Sequence, residues 1–161
     1  MNVQTPDLDA RGLSVALVAS RFNHLISIRL VEGARTILLE RGLDPAQLFL
    51  YWVPGAFEIP QAARRLAESG RFDAIVTLGS VIRGGTPHFD YVCRGVTDGV
   101  REVMRTTNVP VAFGVLTTDD IDQAIARAGG SDGNKGGEVA LAAIEMARLL
   151  RSIDGAPRAN A

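Results

Sequence analysis

LGSVIRGGTPHFDYVC, Leu78 to Cys93, decides how this chain is read. It joins an apolar, strand-like stretch to a turn holding Gly84, Gly85, Thr86 and Pro87, and then to His88 and a helical pattern. Glycine in such a turn lets the backbone approach a ligand closely or take positive φ, which a Cβ resists. Thr86 adds a hydroxyl and a backbone N–H. Amide donors gathered between a strand end and a helix start make a site for an anion such as phosphate. Histidine is the residue type that titrates nearest neutrality, so His88 is placed to give and take protons beside that site. The stretch predicts a phosphate cradle with an acid–base group next to it.

Outward from this segment the same strand-then-helix unit recurs. Leu13 to Ala19 is a short apolar run, followed by a helical face of Leu30, Ala34, Ile37 and Leu38 that Gly42 is placed to end. Gln47 to Val53 reads as a second strand, Pro54 and Gly55 as a turn, and Ile59 to Ser69 as a helix stopped by Gly70. Asp73 to Gly79 is nearly all apolar, as a strand covered on both faces should be. The helix after the glycine turn runs from about Phe89 to Thr106, and Pro110 to Leu116 is the fourth strand. Thr117 or Thr118 is expected to cap the next helix, with Asp119 and Asp120 favouring its dipole. After a glycine-rich loop, Val139 to Leu150 repeats apolar residues at helical spacing, and Ile153 to Ala161 reads as a flexible tail. Such alternation predicts an α/β fold, a three-layer α/β/α sandwich around a four-stranded parallel sheet with right-handed crossovers. Ligands then bind at the carboxyl ends of the strands. Phe22, Asn23, Gly55 to Glu58 and Ser80 to His88 all fall there.

Bulk properties narrow the class. A chain of 161 residues is one domain, long enough to bury a core. At 47% hydrophobic and 22% charged it is ordinary globular protein. A net charge of −1, with no basic block, argues against a nucleic-acid or anionic-membrane surface. Residues 2–11 lack the apolar core of a signal peptide, and no apolar run approaches the ~20 residues that span a membrane. A cytoplasmic location is expected. Cys93 is the single cysteine, which excludes an intrachain disulfide and a cysteine metal site and reads as a buried structural thiol. His24 and His88 lie far apart in sequence, so no metal is expected.

Each chemical candidate has a plainer alternative. His88 could simply stiffen a helix start, although its place after the glycine–threonine turn favours catalysis. His24 opens a helix with no such turn and reads as surface or capping. Arg127, near a helix end, could merely offset the dipole; Phe22 could be core, and Glu58 could favour a helix N-terminus. Two rival readings fall away. In GGSDGNKGG, Lys135 follows Asn134 and no serine or threonine succeeds it, so this is no Walker loop. No acidic cluster marks the ends of strands one and three, as a phospho-receiver would need.

Five collinear blocks resemble the 6,7-dimethyl-8-ribityllumazine synthase family: SRFN (Ser20 to Asn23), WVPGAFEIP (Trp52 to Pro60), the opening segment, GVLTTDDIDQAIARAGG (Gly114 to Gly130) and NKGGEVALAAIEMA (Asn134 to Ala147). The resemblance implies a flavodoxin-like fold and a transferase of riboflavin biosynthesis that condenses 5-amino-6-(D-ribitylamino)uracil with 3,4-dihydroxy-2-butanone 4-phosphate, without a cofactor. It implies His88 as the proton carrier and Phe22 as the aromatic stacked on the pyrimidine. Ala56, Phe57 and Glu58 would hold the ribityl chain, and Ser80, Val81 and Ile82 would offer backbone groups to the pyrimidine edge. Phe113 would wall the pocket of a neighbouring subunit, with Asn23 and Lys135 as further pyrimidine contacts. Gly85, Thr86 and Arg127 would bind the phosphate of the second substrate, which an arginine fork suits. Departures from the commonest pattern are small: Ser80 replaces a frequent threonine and Gly85 a frequent alanine. A non-catalytic flavin- or lumazine-binding protein on the same scaffold is the alternative, but such a binder needs neither His88 nor Arg127.

The resemblance also implies a homo-oligomer, a pentamer with active sites between subunits. Residues 1–12 would pair with a neighbouring subunit, residues 13–152 form the single domain and residues 153–161 the tail. The link GGSDGN, Gly129 to Asn134, has the length and flanking glycines of family members that stack pentamers into an icosahedral shell, with Ser131 where those commonly have lysine.

Overall fold

Six consecutive buried residues form the first strand, β1 (Val15–Ser20). Its side chains alternate between two apolar clusters, with Val15, Leu17 and Ala19 on one face and Ala16 and Val18 on the other. Period-two burial on both faces is what an apolar run without polar alternation produces in a parallel sheet. In the computed structural model, which describes residues 1 and 3–155, the chain continues through α1 (His24–Glu40), β2 (Leu48–Val53), α2 (Ile59–Glu68) and β3 (Ala74–Ile82). It then forms α3 (His88–Thr106), β4 (Val111–Thr118), α4 (Ile121–Arg127), a two-stranded hairpin of β5 (Ala128–Gly130) and β6 (Gly133–Asn134), and α5 (Lys135–Gly155).

The four main strands are parallel in the order β2-β1-β3-β4. Helices α1 and α5 cover one face, with Ala124 of α4, and α2 and α3 cover the other. This is the three-layer flavodoxin-like sandwich the alternation predicts. The chain leaves β1 towards β2 on one side and returns to β3 on the other. The direction of winding therefore reverses between β1 and β3, and a crevice opens at their carboxyl ends.

Several boundaries differ from the sequence reading, each for a reason that packing supplies. β3 reaches Ile82 and β4 reaches Thr118, because the two strands remain paired to Ile82↔Thr118. Thr117 and Thr118 thus lie in a strand and do not cap α4. The cap is Asp120, whose carboxylate accepts the Gln123 N–H at 2.8 Å, while the Thr118 hydroxyl donates to the Asp120 carbonyl. The glycine-rich loop contains the β5–β6 hairpin, with positive φ at Gly129 and Gly133.

α5 starts four residues before its apolar repeat. Glycines are poor helix formers, yet Gly136 and Gly137 sit in its first turn. Asn134 explains why. Its Oδ1 accepts the N–H groups of Gly136 and Gly137 at 2.9 and 3.4 Å, and its Nδ2 donates to the Arg29 carbonyl of α1 at 2.9 Å. One amide side chain both caps α5 and fastens it to α1. The helices approach so closely that a Cβ on Gly136 would run into the Leu30 carbonyl oxygen, and one on Gly33 into Asn134. At its far end α5 extends to Gly155, three residues into the stretch read as tail; residues 156–161 lie outside the described residues. Near the N-terminus, Arg148 donates to the carbonyls of Asp9 and Arg11 at 2.8 and 2.6 Å, and Ala10 is buried in the α1/α5 cluster. The end of the segment 1–12 therefore packs into its own chain's core.

Because the obstacle at Gly136 is backbone, it cannot move aside as a flexible side chain would. Gly136→Ala should destabilise the protein by about 1–3 kcal/mol through overpacking, lowering Tm by roughly 2–4 °C per kcal/mol. A thermal melt indistinguishable from the unsubstituted protein would show that the two helices have room to separate.

Candidate active site

The ends of β1, β2 and β3 are stitched together by the turns that follow them. The N–H groups of Arg21 and Phe22 donate to the carbonyls of Val53 and Pro54 at 2.8 and 3.1 Å, tying the first turn to the second. Asn23 has φ 56°, the one described non-glycine residue in the left-handed region, and its Nδ2 donates to the Ser80 carbonyl at 2.9 Å. Asparagine tolerates that conformation better than residues with larger or branched side chains. The turn after β1 is thereby locked against β3.

A cavity of about 660 Å³ opens between these turns and the start of α3. Phe22, Gly55 to Glu58, Ser80 to Ile82, Gly84, Thr86 and His88 line it, together with Phe89, Tyr91 and Val92. Phe22, Phe57 and Tyr91 are 71%, 60% and 69% exposed, so Phe22 stands at the rim and is not core. β1 pairs with β3 only as far as Ala19↔Leu78, whereas β3 continues to Ile82. Beyond Leu78, the edge of β3 that faces the crevice has no strand partner. Ser80, Val81 and Ile82 can therefore offer backbone groups there, except that the Ser80 carbonyl already holds Asn23. The Ser80 hydroxyl is buried and lacks a hydrogen-bond partner among the described residues.

Of the two roles weighed for Glu58, the helix-start one is visible in its contacts. Its Oε2 accepts the Gly55 N–H at 2.9 Å, a helix-start contact, and Gly55 has no side chain to complete a capping box. The second carboxylate oxygen makes no hydrogen bond among the described residues. Gly84 and Gly85 do not take positive φ, one of the two uses expected of them; a Cβ at either would meet nothing within 4 Å. The space above the turn is open. His88 is the first residue of the 19-residue helix α3, preceded by Pro87, and is exposed at the cavity. An anion in front of that helix start would meet its positive end.

Not every candidate converges here. Phe113 sits in the middle of β4 opposite Thr77, half-buried, and does not line the cavity. Arg127 ends α4 and faces Glu138 at 3.6 Å, while Lys135 meets the same carboxylate at 3.1 Å. These groups lie with α4 and α5 towards the α1/α5 face, whereas the cavity's apolar wall of Ala56, Val81 and Phe89 belongs to the α2/α3 cluster. Within one chain, Arg127 is not brought to Gly85 and Thr86. A groove of about 820 Å³ between α1 and α5 is larger, but it is shallow and holds no histidine or aromatic ring.

His24 is exposed at the start of α1, 5.0 Å from the Trp52 ring, and plays no part in the cavity. Cys93 is half-buried, less enclosed than a core thiol; burial, then Asp90, pushes its pKa up, which keeps it protonated and unreactive. Among the described residues no three His, Cys, Asp or Glu side chains gather to hold a metal, and no helix is long and apolar enough to cross a membrane. Sequence reading missed Phe89, Tyr91 and Val92 as lining residues. Tyr91 had a signal, since i and i+3 share a helix face and His88 was already marked.

The sequence model described as 6,7-dimethyl-8-ribityllumazine synthase matches residues 12–151. The match runs from just before β1 to the last turns of α5 and takes in every residue of the cavity.

Asn23 offers a test of the stitched turns. Alanine in the left-handed region costs about 1–2 kcal/mol, which glycine escapes, and both substitutions lose the bond to Ser80. Thermal melts should therefore rank Asn23 above Asn23→Gly, and Asn23→Gly above Asn23→Ala. An alanine variant at least as stable as the glycine variant would mean that the turn relaxes out of positive φ.

Proposed function

The chain belongs to the 6,7-dimethyl-8-ribityllumazine synthase family and is a transferase of riboflavin biosynthesis, and we propose that its cavity joins 5-amino-6-(D-ribitylamino)uracil to 3,4-dihydroxy-2-butanone 4-phosphate. The reading is carried by one juxtaposition: an aromatic rim, an unpaired strand edge and the Gly84–Thr86 turn with His88 line a single cavity at the winding reversal. Phe22 and Phe57 offer flat apolar surface to a ring. The edge of Val81 and Ile82 suits the donors and acceptors of a pyrimidine. Ala56, Phe57 and the free oxygen of Glu58 suit a chain of hydroxyls. Gly85, Thr86 and the start of α3 suit a phosphate.

Chemistry follows from that placement. The 5-amino group attacks the ketone carbonyl, and loss of water gives an imine. The phosphate ester is then eliminated as inorganic phosphate, and the ribitylamino nitrogen closes the second ring with loss of another water. Each step moves protons between nitrogen, oxygen and carbon, and none needs an oxidant. His88 serves as the proton carrier. Orientation of two substrates in one cavity supplies much of the acceleration. His88→Ala should slow turnover by about ten- to a hundred-fold, at or below the low end of what positioned acid–base groups contribute, while a substrate-analogue pyrimidine still binds. Steady-state formation of the fluorescent lumazine measures it, and an unchanged rate would remove His88 from the mechanism.

We further propose that each site lies between two copies of the chain in a pentamer, with Phe113, Arg127 and Lys135 of one copy completing the cavity of the next. Their separation from His88 within one chain supports this. So do apolar side chains exposed away from the cavity, among them Leu50, Met104 and Ile121. On this reading the first residues of the segment 1–12 pair with a neighbour, the pentamers close into an icosahedral shell, and the enzyme works in the cytoplasm.

Arg127→Ala should weaken phosphate binding by roughly ten- to a hundred-fold, about 1.5–3 kcal/mol for a charged hydrogen bond. Co-assembling the His88→Ala and Arg127→Ala chains should give more activity than either variant alone, since some sites then draw an intact residue from each. No recovery, or full activity in a particle of one 17.2 kDa chain rather than five or sixty, would overturn the shared site.

A further inference from the structure

Arg83 opens the glycine turn and is the cation nearest in sequence to Gly84–Thr86. Proximity alone would make it a phosphate ligand, but its contacts assign it elsewhere. Nε donates to Asp119 Oδ1 at 2.8 Å and Nη1 to Asp90 Oδ1 at 3.3 Å. The guanidinium carbon lies 4.2 Å from the centre of the Phe89 ring. The backbone N–H donates to the Thr118 carbonyl at 2.9 Å. Two carboxylates and an aromatic face thus engage the cation and offset its charge.

Those partners have a common geometry. Phe89 and Asp90 directly follow His88 in the first turn of α3, and Asp119 directly follows β4. The guanidinium ties the end of β3 to the end of β4 and to the residues that carry His88. Besides the guanidinium, Phe89 anchors the first turn of α3 in the α2/α3 cluster and the Asp90 N–H donates to the Pro87 carbonyl at 3.0 Å, but the glycine turn and His88 have little restraint of their own. Gly84 and Gly85 have open space around them, Pro87 has no N–H to give, and the start of α3 has no side-chain cap. We infer that Arg83 is a positioning residue that sets the orientation of the first turn of α3 so that His88 faces the cavity, and that it is not itself an anion ligand. This rests on the proposed role of His88. Arginine suits the task because its planar fork can reach two carboxylates while its face lies on a ring. Lysine has neither property.

Exposed ion pairs contribute little to global stability, whereas a shift of about 1 Å in a reacting group can cost up to ~10²-fold in rate. The effect should therefore appear in kinetics and not in melting. Arg83→Met keeps the stem against Phe89 and removes the fork. In the assembled enzyme it should lower kcat about ten-fold, leaving Tm, the KM for the butanone phosphate and the affinity for inorganic phosphate unchanged. Asp119→Asn, which weakens the same tie from the other side, should lower kcat in the same direction. In a His88→Ala background Arg83→Met should cost nothing more. The inference is overturned if phosphate affinity falls with kcat, if kcat does not change, or if the two losses simply multiply. His88→Ala alone tests the underlying reading: if it leaves the rate intact, the catalytic role has failed, whereas a slow His88→Ala enzyme beside a fully active Arg83→Met enzyme refutes only the positioning role.

Discussion

The pairing of β1 with β3, buried on both faces, is the constraint on which the rest of the molecule depends. Fully buried Leu17, Ile75 and Leu78 each contribute about 1.5–3 kcal/mol through removal from water, more than any single hydrogen bond between the strand-end turns. This apolar centre sends β2 to one side and β4 to the other. It also sets the length mismatch that matters chemically: β3 outruns β1, leaving a strand edge and three turns around one crevice.

Around that crevice, order comes from a few contacts between strand ends, and polar side chains supply several of them. Asn23 holds an unfavourable backbone angle in return for a bond to Ser80. Glu58 uses one oxygen on Gly55 and keeps the other. The glycine turn has open space above Gly84 and Gly85. Its neighbours Arg83, Phe89 and Asp90 supply order from outside the turn.

The opposite face follows a different rule. There α1 and α5 touch backbone to backbone through Gly33, Gly136 and Gly137, with Asn134 as the fastening. This contact fixes where α5 begins, and hence where Lys135 and Glu138 stand beside Arg127. A surface carrying both cations is thereby built on the side of the sheet away from His88.

Apolar runs of period two, helical faces of period 3.6 and glycine stops were legible in the sequence because they depend on neighbours a few residues apart. They define the strand and helix order, and with the carboxyl-end rule they place Phe22, Ala56 to Glu58, Ser80 to Ile82 and His88 near one another. The collinear motifs carry the family. What the tertiary structure decided involves partners far apart along the chain. The β2-β1-β3-β4 order, the overhang of β3, the tie from Arg83 to Asp119 and the separation of Arg127 from the glycine turn are of this kind. So is the start of α5, where local propensity argued for a loop and close contact with α1 prevailed. Local chemistry is written residue by residue; distance and packing exist only once the chain has closed on itself.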